Sequence, residues 1–194
     1  MRLALILPFI LILSVLSAFA QAPVFLTGPG LEMAVMQGGR NIPPQGAPSD
    51  VTTITLKSDA FELHISEQTY GSAEVLRLCI SDSSTVLKDV QPGLEYSAIP
   101  CMRPGTGIAS SFGTIHLHDE AHHYLSNVPN FPDRLSHRPK DQTYAAVFEG
   151  VFAEPEDIPL TQWSETLYIL AYADLDKDKT IDPDEYRKLI LSFE

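Results

Sequence analysis

The chain has 194 residues, the length of one domain with at most a small appendage, and its 44% hydrophobic content supports a buried core. A formal charge of −12 speaks against nucleic acid or an anionic membrane as partner, and 15 prolines speak against a long helical bundle.

Residues 1–20 read as a cleaved export signal. Arg2 is a short basic start, residues 3–16 are an apolar run, and Ala18-Phe19-Ala20 offers a small-x-small cleavage site. The run is short for a membrane span and no second one follows, so the expectation is a secreted or extracytoplasmic protein without a membrane attachment. In an oxidising compartment Cys79 and Cys101 are expected to form a disulfide. Closing that loop contributes about 3 kcal/mol by chain entropy.

Residues 21–50 carry Gly38-Gly39 and two adjacent prolines, Pro43 and Pro44, and read as a Pro/Gly-rich leader or linker with a short element over 31–36. From Val51 the hydrophobic period becomes two. Phe61, Leu63 and Ile65 alternate with Glu62, His64 and Ser66, and Leu76, Leu78 and Ile80 form a second run. A turn at Tyr70-Gly71-Ser72 makes these two runs a predicted hairpin. Short strands are predicted over 86–90, 94–99 and 111–118, an irregular loop over 127–140, and a strand over 143–152. This pattern predicts a mainly β fold: an antiparallel β-sandwich of the immunoglobulin-like class over 51–155, with residues 156–194 as a C-terminal segment packed on it.

Two constellations could carry chemistry. His116 and His118 fall on one face of the predicted 111–118 strand, and His122 follows closely, which is one way to build a Zn²⁺ or Cu²⁺ site. The plainer reading, a hydrophilic strand end with imidazoles pairing to neighbouring acids, is preferred. No nucleophile or acid–base pair stands out, and a non-enzymatic role is favoured over catalysis.

The second constellation is Asp174-Leu175-Asp176-Lys177-Asp178-Lys179-Thr180-Ile181-Asp182-Pro183-Asp184-Glu185. Acidic side chains fall at positions one, three, five, nine and twelve, with Ile181 at eight. Ca²⁺ takes six to eight oxygens, and a loop of this length can wrap them round one point. Carboxylates of Asp174, Asp176 and Asp178, the Thr180 carbonyl, Asp182 directly or through water, and both oxygens of Glu185 form the expected set. The segment resembles the calcium loop of the EF-hand family at every ligand position, over 174–185 with flanks at 160–193.

One residue departs from the family pattern. Lys179 stands where the family usually has a glycine with positive φ, at a cost of about 1 kcal/mol, and Lys177 and Lys179 offset part of the loop's charge. The expected Kd is on the order of 10⁻⁴ M or weaker.

The flanks admit two readings. Trp163, Leu167, Leu170 and Ala171 share a helical face, as do Tyr186, Leu189, Ile190 and Phe193 beyond the loop. Residues 166–173, however, contain no charge, which suits a buried strand better than an entering helix; the strand reading is slightly favoured.

The sequence therefore predicts a secreted, non-enzymatic protein in which Ca²⁺ rigidifies the C-terminal segment of a β-rich structural or interaction domain, with calcium and a second protein outside the cell as partners. The competing readings are an EF-hand helix pair binding a partner under calcium control, and a His-based zinc- or copper-binding protein or metalloenzyme.

Overall fold

A computed structural model describes residues 21–24, 31–45, 51–66, 76–88, 90–98, 114–117, 124–127, 135–138, 143–153 and 155–194. In chain order the strands are β1 (Glu32–Gln37), β2 (Arg40–Asn41), β3 (Val51–Leu56), β4 (Phe61–Ser66) and β5 (Leu76–Ser81). A short helix α1 (Thr85–Lys88) and a 3-10 turn (Tyr96–Ala98) follow. Then come β6 (Thr114–Leu117), β7 (Tyr124–Asn127), β8 (Leu135–Arg138), β9 (Thr143–Phe148), β10 (Gly150–Ala153), β11 (Glu156–Pro159), β12 (Leu167–Ala173) and β13 (Tyr186–Phe193). The fold is mainly β. No helix among the described residues is long and apolar enough to cross a membrane.

The described residues form three sheets, with orders β2-β1-β4-β9-β8, β3-β13-β12-β5-β7 and β11-β10-β6. Pairing is mixed rather than wholly antiparallel, because β13 runs parallel to β3 and β10 parallel to β6. The β1–β2 turn shows why sequence enforces its geometry: Gly38 and Gly39 have φ of 57° and 74°, and a two-residue turn matched to strand twist needs positive φ at both positions.

Period-two alternation sends Met33, Val35, Phe61, Leu63 and Ile65 from the first sheet into one apolar cluster with Ile54, Leu78, Ile80, Ile169 and Leu191 from the second. The reverse face of the second sheet is also covered. There Cys79, Leu170 and Tyr172 meet Val86, Leu87, Val90 and Ile181. β12 lies between these two clusters, so both of its faces are buried, and a strand buried on both faces has no place for charge. That accounts for the uncharged run 166–173.

Several expectations need correction. The short element expected over 31–36 is β1, but its residues Met33 to Met36 are all buried, so this part of the predicted leader belongs to the core. The runs at 61–66 and 76–80 are not a hairpin: β4 pairs with β1 and β9, and β5 pairs with β12 and β7. Residues 85–88 are helical and 96–98 form a 3-10 turn where strands were predicted. The stretch 143–152 breaks at Glu149 into β9 and β10 of different sheets, and the Glu149 carbonyl accepts from Leu160 N–H at 3.0 Å. The 127–140 stretch includes the end of β7 and all of β8. The C-terminal segment supplies β12 and β13, two of the three inner strands of the second sheet. Cys79 is fully buried on β5; Cys101 and residues 1–20 lie outside the described residues.

Candidate metal centre

The loop 174–185 joins β12 to β13, which pair antiparallel with Tyr172 opposite Tyr186. The flanking elements are strands, not the helices of the alternative reading. This pairing brings the first and last loop residues side by side. Carboxylate oxygens of Asp174, Asp176 and Glu185 all lie within 4.8 Å of one another. Asp174 is 5% exposed and Glu185 2%, while Asp176 faces solvent.

Backbone donors shape the loop around these carboxylates. Glu185 Oε1 accepts from the N–H of Leu175 and of Asp176, and Oε2 accepts from Asp182 N–H at 3.1 Å. Asp174 Oδ1 accepts from Lys179 N–H at 3.4 Å, and Asp176 Oδ1 accepts from Asp178 N–H at 3.1 Å. Asp178 Oδ1 is taken by Thr180 N–H at 2.6 Å. Each of the three aspartates thus spends one oxygen on a backbone N–H. Lys179 has the left-handed backbone expected of its position, φ 68°, and Lys177 has the same at φ 67°, a second strained position that the sequence reading did not anticipate.

The expected ligands therefore divide. Asp174, Asp176 and Glu185 converge; the carboxylates of Asp178 and Asp182 belong to the same loop but lie outside that trio, and Thr180 could contribute only its backbone carbonyl or hydroxyl. A neighbouring segment, overlooked in the sequence, braces the loop. Gly93 N–H donates to the Ile181 carbonyl and Ile181 N–H to the Leu94 carbonyl, each at 2.8 Å, and Tyr96 N–H donates to the Lys179 carbonyl at 3.1 Å. Ile181 is fully buried beneath this bridge. The only signal for the brace was the Pro92-Gly93 turn followed by apolar Leu94 and Tyr96. On the opposite side, Leu31 N–H donates to the Asp184 carbonyl at 2.9 Å and ties the start of β1 to the loop.

The electrostatics are those of concentrated negative charge. Burial raises the Glu185 carboxyl above the ordinary glutamate range, partly opposed by its three N–H donors. Desolvation, then repulsion from Asp178, Asp176 and Asp184, raises Asp182. Burial also pushes the Tyr172 phenol up, reinforced by the charges of Asp174, Glu185 and Asp178. Neither Asp174 nor Glu185 is ion-paired with a Lys, Arg or His among the described residues. An all-oxygen donor set of this charge suits hard cations as a class.

The histidine constellation does not assemble among the described residues: His116 lies on β6, while His118 and His122 lie outside them. Sequence reasoning gave no role to His64, which is buried on β4 with Nε2 at 2.8 Å from Glu62 Oε2. Comparison of the chain with protein-family models and with curated proteins gave no match.

Proposed function

We propose that the chain is an exported, non-enzymatic calcium-binding protein. Ca²⁺ held by Asp174, Asp176 and Glu185, and completed by Asp178, the Thr180 carbonyl and Asp182, fastens the β12–β13 end of a β-sandwich. One observation carries this reading: Asp174 and Glu185 are adjacent, 5% and 2% exposed, and neither is ion-paired with a cationic side chain among the described residues. Burying like charges together is strongly unfavourable without compensation. Backbone N–H groups satisfy lone pairs but bring no net charge; a divalent cation brings it. Calcium outside cells is abundant enough for a site of about 10⁻⁴ M to fill, which is consistent with the export signal expected from the sequence of residues 1–20.

Thermal melting of residues 21–194 in calcium and in chelator tests the reading. At calcium about 100-fold above Kd the wild type gains about 2.7 kcal/mol over the chelated protein. Asp174→Ala and Glu185→Ala abolish most of that increment. Equal melting temperatures for the wild type in calcium and in chelator contradict the proposal.

A further inference from the structure

Tyr172 is 1% exposed, and its hydroxyl has no hydrogen-bond partner among the described residues. It lies on β12 two residues before Asp174, opposite Tyr186 and hence beside Glu185. The charges of Asp174, Glu185 and Asp178 act on its hydroxyl. The ring is held in place by stacking on Tyr96, with centroids 5.9 Å apart and planes inclined by 23°. Tyr96 is in turn bonded to the loop through its N–H and the Lys179 carbonyl. A buried hydroxyl without a partner is destabilising, and a native structure keeps one where some state of the protein satisfies it. Among the described residues, the carboxylates that act on it, Asp174, Glu185 and Asp178, all belong to the acidic loop.

Resting on the calcium reading above, we propose that Tyr172 is a positioning residue of the cation site, its hydroxyl donating a hydrogen bond to a carboxylate oxygen of the cation-loaded loop. The donated bond fixes the rotamer of that carboxylate and leaves its remaining lone pairs directed at the ion. Through the Tyr96 stack, the same contact makes the 93–96 segment part of the binding unit. Filling the site therefore tightens the brace as well as the loop.

Tyr172→Phe removes the hydroxyl and keeps the ring and its stacking. The experiment is calcium titration by calorimetry, with thermal melting in calcium and in chelator, on wild type and variant. The expected result is calcium affinity weakened about ten-fold, the loss of one charge-assisted hydrogen bond. In chelator the variant melts no lower than the wild type, because the hydroxyl it lacks was unpartnered there. Near-ultraviolet circular dichroism of tyrosine changes on calcium addition in the wild type and changes less in the variant. Equal affinity for the two proteins overturns the inference and leaves the calcium site standing; so does an equal drop in melting temperature with and without calcium, which marks a packing role alone. A wild type that takes up no calcium overturns the site itself.

Discussion

At Lys179 the backbone takes φ 68°, a conformation that glycine adopts without strain. Relief of this strain by glycine belongs to the stability of the fold, with or without a cation. The charge of the lysine belongs to affinity instead. Lys179→Gly is therefore expected to change stability in chelator by no more than about 1 kcal/mol, strain relief being partly offset by glycine's greater freedom in the unfolded chain. It is also expected to tighten calcium binding by a factor of about two to five, an effect that shrinks at high salt because the lysine is exposed. Calorimetric titration at two salt concentrations checks both parts. Glu185 sets the pH response. Its folded-state pKa is raised, so the metal-free fold holds this proton at pH values where the unfolded chain, near 4.3, has lost it. This group's contribution to metal-free stability is greatest below the unfolded pKa and is lost as pH rises through the folded one. Calcium binds the ionised form, so lowering pH from neutrality weakens binding sooner than ordinary glutamates would, and the calcium-induced gain in melting temperature shrinks on acidification. A gain that grows as pH falls contradicts this assignment.

At the scale of elements, β12 carries the most information. Residues 166–173 were legible as a buried strand because the absence of charge has a direct physical cause: Leu167, Ile169 and Ala171 enter the main core while Leu170 and Tyr172 enter the second cluster. The helical face suggested by Trp163, Leu167, Leu170 and Ala171 is a by-product of both faces being apolar. β1 was less legible for a related reason. Ala34 and Met36 are buried along with Met33 and Val35, which erases the alternation that marks a strand with one wet face. The false hairpin shows a different limit. Alternation in 61–66 and 76–80 reveals two strands but not their partners, and these are separated into different sheets by long-range pairing. The convergence of Asp174, Asp176 and Glu185 was legible because loop spacing is local; the brace from 93–96 was not, because its bonds are backbone to backbone. The elements also predict separability. Leu189 is fully buried in the main core, away from the loop's cluster. Leu189→Ala should cost about 2–5 kcal/mol in both calcium and chelator, leaving the calcium increment intact in denaturant titrations. A selective loss of the increment would show that core and loop are not independent.

Over the whole molecule, the loop is where three distant parts of the chain converge. The start of β1 is bonded through Leu31 to Asp184, the 93–96 segment through Gly93, Leu94 and Tyr96, and β12 and β13 enter and leave it. On the calcium reading, a cation there would act on the first sheet through β1 and on the second through its inner strands, so its effect would extend beyond the C-terminus. The surface charge works in the same direction: a chain of −12 attracts divalent cations and repels itself, and neutralising part of that charge at a convergence point favours the compact state. The most direct test is calorimetric titration of residues 21–194 with Ca²⁺ at neutral pH. The expected result is one ion per chain with Kd on the order of 10⁻⁴ M, lost in Asp174→Ala. Absence of binding at millimolar calcium, or binding that survives Asp174→Ala unchanged, contradicts the assignment of this loop as the site.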